Sequence, residues 1–182
     1  MRKLKLDELN RPSLQEFQEL KKFPVTVVLD NIRSGHNVGS FFRTADGFAL
    51  EKIVLCGYTP APPHPEIFKT AIGATKAVSW SHIPDIHLAM SELKSKGFHC
   101  VGVEQTTKSI SLTEARIPDR RLALIFGNEV NGITSSILPL LDEVWEVPQF
   151  GTKHSLNVAV CGGIVLWEVI RQMIFREKGG AL

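Results

Sequence analysis

The chain has 182 residues, 43% hydrophobic and 22% charged, a composition that excludes a disordered or collagen-like polymer and supplies apolar surface for one domain's core. Lysine and arginine number 21 against 19 acids, a formal net charge of +2. That is far from the profile of a protein that grips nucleic acid by charge alone, although a local basic patch stays open.

Residues 1–17 (MRKLKLDELNRPSLQEF) contain no apolar core of a secretory signal, which points to the cytoplasm. Residues 25–29 (VTVVL) predict a strand, 38–48 a helix and 52–56 (KIVLC) the next strand. The stretch 57–65 (GYTPAPPHP) holds four prolines and predicts a loop that can be neither helix nor central strand. A helix over 85–96 and strands over 98–103 and 122–126 follow, then a short helix over 135–141 and a strand over 143–147. The apolar runs are continuous rather than alternating, as in strands covered on both faces of a parallel sheet. The alternation of strands and helices predicts an α/β layered domain.

The last helix is expected to start at Ser155 as N-cap and to run through Leu156, Val160, Ile164, Trp167, Ile170 and Ile174. Gly162 and Gly163 lie inside it, each costing about 1 kcal/mol against alanine, which suggests that another backbone approaches closely there. Apolar residues on more than one face suggest burial, possible at a subunit interface. The charge-free stretch 156–167 is too short to span a bilayer.

Cys56, Cys100 and Cys161 form no C-x-x-C pair, so neither a disulfide framework nor a zinc site is expected, and all three read as buried reduced thiols. The six histidines lack metal-ligand spacing; His64, His82, His87 and His99 read as surface or packing residues.

In an open parallel sheet, chemistry belongs to the loops beyond the carboxyl ends of the strands. Three such loops are rich in glycine and polar residues: 30–43, 127–132 and 148–157. G-x-G-x-x-G is absent, and Gly127 and Gly132 have the spacing of a P-loop but are followed by Ile133-Thr134 in place of Lys-Ser/Thr. No G-x-S-x-G elbow occurs, and the neighbours His154 and Ser155 make a poor nucleophile–base pair. Arg43 could hold a phosphate bidentately or could be a solvent-exposed or salt-bridged arginine. Glu129 could act in a site or serve as an acid favoured by a helix dipole. Asn157, read as one turn into an apolar helix, is a buried amide that must find partners. Lys153 and His154 give the third loop a positive rim.

Together these loops resemble the TrmH-like (SpoU) family of RNA 2′-O-ribose methyltransferases, in the SPOUT superfamily. The family's N-x-G-x-x-x-R-T-A motif corresponds to Asn37, Val38, Gly39, Ser40, Phe41, Phe42, Arg43, Thr44 and Ala45. Its strand ending in G-N-E lies within 122–132, and its P-x-x-G and S-L-N-V motif within 143–158. The three occur in the family's order and spacing, and the match covers residues 24–176. The run Gly102, Val103, Glu104, Gln105, Thr106 looks like the branch acting on tRNA guanosines.

The resemblance implies a mostly parallel sheet flanked by helices with a deep C-terminal trefoil knot. It divides the chain into an N-terminal arm (1–23), a methyltransferase domain (24–176) and a short tail (177–182). It also implies S-adenosyl-L-methionine as cofactor, held by Val103, Glu104, Gly127, Asn128, Val147 and Pro148 with Leu156 closing the pocket. A homodimer is implied, with Gly162-Gly163 and the apolar face of the last helix at or near its interface. Arg43 would come from the partner subunit, contact an RNA phosphate and assist removal of the hydroxyl proton. Because arginine has no acceptor, orientation and charge stabilisation suit it better than a base's role. Asn37, Glu129, Ser155 and Asn157 would hold Arg43 and shape the loops, and Arg33, His36 and Lys153 would join Arg43 in contacting tRNA or rRNA. Neither metal nor membrane is expected, nor a separate RNA-recognition domain. The amphipathic stretch 14–20 reads as a helix capping the sheet, with RNA contact as the alternative. A catalytically idle RNA-binding or assembly protein on the same fold, and a small-molecule nucleotide-binding enzyme, are the competing readings. The presence of every motif residue favours the methyltransferase.

Overall fold

The computed structural model describes residues 1–179. Its strands are β1 (Phe23–Asp30), β2 (Leu50–Cys56), β3 (Trp80–Ile83), β4 (His99–Val103), β5 (Ile110–Ser111), β6 (Leu122–Phe126) and β7 (Glu143–Glu146). The helices are α1 (Leu14–Glu19), α2 (Gly35–Gly47), α3 (Pro65–Ala71), α4 (Ile86–Ser95) and α5 (Val158–Glu177), with a 3₁₀ segment at Ser135–Leu140. The strands form one sheet in the order β3-β2-β1-β6-β4-β7-β5, and every neighbouring pair is parallel. This is the expected α/β architecture, a parallel sheet flanked by helices.

Alternation along each strand sends side chains to two cores, which is why the runs read as continuously apolar. On one face Val27, Leu29, Leu124 and Phe126 pack with Phe41 and Phe42 of α2, Ile67 of α3 and Val165, Leu166 and Val169 of α5. On the other, Val28, Val54, Ala123 and Ile125 pack with Ile86, Met90 and Leu93 of α4 and with Ile137. Cys56 and Cys100 are buried, where desolvation pushes their thiols up to about 12 and about 11.

Sequence and structure differ at several elements. Helix α2 begins at Gly35, three residues before the expected start, because Ser34 caps it by accepting from the Asn37 N–H. The proline-rich loop ends in α3, with Pro65 in the first turn, where its missing N–H costs nothing. The half-buried edge strand β3 and the two-residue β5 carry too little apolar pattern to be seen. The N-cap of α5 is Asn157, not Ser155: its side-chain oxygen accepts from Ala159 and Val160 N–H. Asn157 is thus an exposed cap rather than a buried amide. At Gly162 the close neighbour is a side chain, not a backbone, since an added Cβ would lie 2.3 Å from the Phe41 ring; Gly163 has nothing within 4 Å.

Helix α5 spans 20 residues with mean hydropathy 1.7, enough by length and composition to cross a membrane. Its Val165, Leu166, Val169 and Ile170 are nevertheless core residues, and the Glu168–Arg171 ion pair lies midway along it. Helix α1 is closed by a Ser13–Glu16 capping box, and its Phe17 is buried under the Lys22 ammonium, 3.2 Å from the ring centroid.

Candidate active site

The carboxyl ends of β4, β6 and β7 open into a cleft of about 400 Å³, whose walls include Val103, Phe126, Gly127, Val147, Leu156 and Cys161. Gly127 begins the tightest of its loops: a Cβ there would fall 2.1 Å from the Gly132 carbonyl carbon. The loop closes through reciprocal Asn128–Gly132 backbone hydrogen bonds of 2.9 Å. Gly132 (φ 68°) needs the left-handed conformation, and a side chain there would strike the Glu104 carboxylate. Glu104 in turn accepts from the N–H groups of Gln105 (2.9 Å) and Ile133 (3.0 Å), tying the loop after β4 to the loop after β6.

Asn128 is buried and all its valences are used. Its amide donates to the Asn31 carbonyl (2.7 Å) and the Tyr58 hydroxyl (2.6 Å), and its oxygen accepts from Val130 and Asn131 N–H. Asp30, fully buried at the end of β1, accepts from Thr134 N–H at 2.8 Å. Asn31, Tyr58 and Asp30 are structural members of the site that motif reasoning missed; a buried acid at the carboxyl end of a central strand was the one available signal for Asp30.

Glu129, Asn37 and Asn157 meet across the cleft's mouth. The Glu129 carboxylate accepts from Arg33 N–H (2.9 Å), Ser34 N–H (3.2 Å) and the Asn37 amide (2.9 Å), while Asn37's oxygen accepts from the Asn157 amide at 3.1 Å. Burial pushes the Glu129 carboxyl up, but these donors together outweigh it and hold it below the usual carboxylate range. The acid therefore sits on the N-terminus of α2, where the helix dipole favours negative charge.

Other expected residues divide by position. Val103, Glu104, Gly127, Asn128, Glu129, Val147, Ser155, Leu156 and Asn157 line the cleft. Pro148 and Lys153 line a neighbouring hollow instead. Arg33, His36 and Asn37 border a shallow depression that shares Glu129 with the cleft, and His36 Nδ1 lies 3.6 Å from Glu66. Arg43 stands apart, exposed on α2, lining none of these spaces and making no hydrogen bond or ion pair among the described residues. Cys161 is only half-buried and faces the cleft, its thiol pushed up to about 11 by desolvation and then by Glu104. Among the described residues no cluster of metal-ligating side chains occurs.

An apolar floor with a polar, hydrogen-bonded mouth suits a ligand with a flat heteroaromatic end and a charged end, and the volume is that of a small-molecule site. Residues 24–167 match the model of the SpoU rRNA Methylase family. The chain is 29% identical over 161 residues to the 23S rRNA (guanosine-2′-O-)-methyltransferase RlmB of Neisseria meningitidis, covering 88% of this chain and 64% of that protein. Its fold is similar to the A. aeolicus TrmH/SpoU tRNA modifying enzyme, with TM-score 0.79, 26% identity and coverage of 91% and 84%. It is also similar in fold to the AdoMet-bound rRNA methyltransferase of Sinorhizobium meliloti, with TM-score 0.79, 24% identity and coverage of 86% and 60%. The chain thus spans about two thirds of the length of the RlmB relative.

Proposed function

Because the chain belongs to the SpoU rRNA methylase family, we propose that it transfers a methyl group from S-adenosyl-L-methionine to a ribose 2′-hydroxyl of tRNA or rRNA in the cytoplasm, with guanosine as the favoured nucleoside. The observation that carries this reading is the Glu129–Asn37–Asn157 network, which joins three loops far apart in sequence above one cleft. The names of the relatives support it: guanosine 2′-O-methylation for the Neisseria protein and bound AdoMet for the Sinorhizobium one.

The cofactor supplies an electrophilic methyl on a sulfonium. Val103, Val147 and Leu156 would hold its adenine in an apolar slot, with Glu104, Gly127, Asn128 and Pro148 offering backbone groups. Glu129 is poorly suited to accept the hydroxyl proton: its oxygens already receive three donors, and its carboxyl is held below the usual range. It acts instead as a positioning residue that fixes the start of α2 and, through Asn37 and Asn157, the start of α5. Arg43 would orient an RNA phosphate and stabilise charge at the reacting oxygen. Ser155, Arg33, His36 and Lys153 are assigned to loop shape and RNA contact.

Two structural proposals accompany this reading. A homodimer would cover Val160, Ile164 and Trp167, which are 54%, 41% and 55% exposed along one face of α5, and would carry Arg43 to the second copy's cleft. A trefoil knot is favoured by β7, which lies between β4 and β5 although only residues 104–109 join those two strands. The segment leading into α5 also passes against that connection, where Gln105 donates to the His154 carbonyl at 2.9 Å.

The test is calorimetry with S-adenosyl-L-methionine, mass in solution, and transfer of labelled methyl to bulk RNA. Micromolar binding to a dimer with label in RNA is expected. Binding without transfer to any RNA would favour the idle RNA-binding protein, and failure to bind would remove the reading.

A further inference from the structure

Beside the cofactor cleft lies a second hollow of about 430 Å³, which shares Gln105, Glu146, Val147 and Gln149 with the cleft and is completed by Pro148, Phe150, Lys153 and His154. Several of its side chains make no polar contact that serves the fold. The Glu146 carboxylate, at the end of β7, makes no hydrogen bond or ion pair among the described residues, and neither do the Gln149 amide and the Lys153 ammonium. Phe150 is 97% exposed, a ring with almost nothing of its own chain packed over it. The loop itself is held, since Gln105 Nε2 donates to the His154 carbonyl at 2.9 Å.

We propose that this hollow is a guanine-binding site that takes the base of the nucleoside to be methylated. The inference rests on the methyltransferase reading for its role, and on the side chains for its specificity. A free carboxylate presents two acceptors side by side, and guanine alone among the four bases presents two adjacent donors, N1–H and the 2-amino group, on its Watson–Crick edge. Adenine offers an acceptor at N1, and cytosine and uracil each offer one donor there. Glu146 therefore selects guanine, and the Gln149 amide can donate to O6. Phe150 supplies a face for stacking, and Lys153 a cation for the flanking phosphate, the combination by which unpaired nucleotides are held. The shared wall places a ribose between the two spaces, so that the base occupies one while the hydroxyl faces the other. The RNA must present the nucleoside unstacked, in a loop or flipped from a helix.

The experiment is calorimetric titration of the full chain with guanosine 5′-monophosphate and with adenosine 5′-monophosphate, with and without S-adenosylhomocysteine. Guanosine monophosphate is expected to bind about tenfold or more tightly than adenosine monophosphate. Glu146→Gln should abolish that difference, Phe150→Ala should weaken both nucleotides about tenfold, and S-adenosylhomocysteine should bind Phe150→Ala, which alters the hollow alone, as it binds the wild type. Equal binding of the two nucleotides, or binding of neither, would overturn the proposal. So would a loss of S-adenosylhomocysteine affinity in Phe150→Ala, because the hollow would then belong to the cofactor cleft. Methyl transfer to RNA is read separately: selective binding without transfer leaves the guanine site standing and removes the reaction, whereas transfer to a nucleoside other than guanosine removes the site and keeps the reaction.

Discussion

The two ends of α2 lead to opposite kinds of surface. At its N-terminus, Ser34 and Asn37 are locked to Glu129 and Asn157, and these four residues find partners within one chain. Six residues beyond Asn37, Arg43 is exposed without a partner among the described residues, and beyond the helix Phe48 packs against Trp167, a residue 55% exposed on α5. A loop network that satisfies itself is a scaffold, complete on folding. A cation and an apolar stripe left open together are a different kind of surface, and on the proposed reading the difference separates the part of the site one chain builds from the part a second copy or RNA would finish.

If that division holds, Arg43→Ala strikes the open half alone. Methyl transfer to RNA should fall by roughly 100- to 1000-fold, while S-adenosyl-L-methionine affinity by calorimetry and the melting temperature stay at wild-type values. A variant that transfers normally would remove Arg43 from the mechanism. Next in size, Ile164→Glu places a charge in the middle of the α5 stripe. Sedimentation should show a folded monomer, and transfer should drop because Arg43 no longer reaches a second cleft; a dimer that survives the charge would place the contact elsewhere.

The sequence made these two halves unequally legible. The strands that are buried on both faces announced themselves, since five or six apolar residues in a row have few other fates; β3 and β5, at the sheet's edges, did not. Loop motifs led to Asn37, Glu129 and Asn157, but not to how they act. The apolar run after Ser155 suggests a helix start two residues too early and hence a buried Asn157, and only the cap geometry shows that its oxygen faces backbone N–H groups. Its place in the chain suggests that Glu129 is an acid at the start of the helix that follows it; the helix it stabilises is α2, nearly a hundred residues earlier in the chain. Asn31 and Tyr58 were invisible, because their roles depend on a hydrogen bond to Asn128 formed only when β1, β2 and β6 lie side by side.

Within the self-satisfied half, Gly162→Ala tests packing against the chain's own α2. The added carbon would meet the Phe41 ring at 2.3 Å, an overpacking expected to cost about 1–3 kcal/mol in denaturant unfolding. Glu129→Gln keeps the shape and removes the charge, with an expected loss of about 1 kcal/mol at neutral pH. The sign of its pH dependence follows from the carboxyl being held low in the fold. Its contribution is complete above the unfolded-state pKa and disappears as pH falls through the folded one, so the gap between wild type and variant should be constant near pH 7 and close below about pH 4. A gap that widened in acid would mean that Glu129 folds protonated.

Gly163→Ala is the smallest change and divides the two halves most finely, because it sits one residue from Gly162 and faces the other way. Nothing lies within 4 Å of a Cβ at this position, and in a lone chain the substitution adds helix propensity worth about 1 kcal/mol. A stabilised protein of unchanged mass would mean that the outer face of α5 at Gly163 is open in solution as it is in a single chain. A second copy packed closely on this glycine gives the opposite result: the methyl that finds empty space in one chain meets a neighbouring helix in two, and dimer affinity falls although each chain's own helix is improved. Equilibrium sedimentation and denaturant unfolding of the same sample separate these outcomes, since the first reads the contact between copies and the second, at a concentration where the variant is monomeric, reads the helix alone.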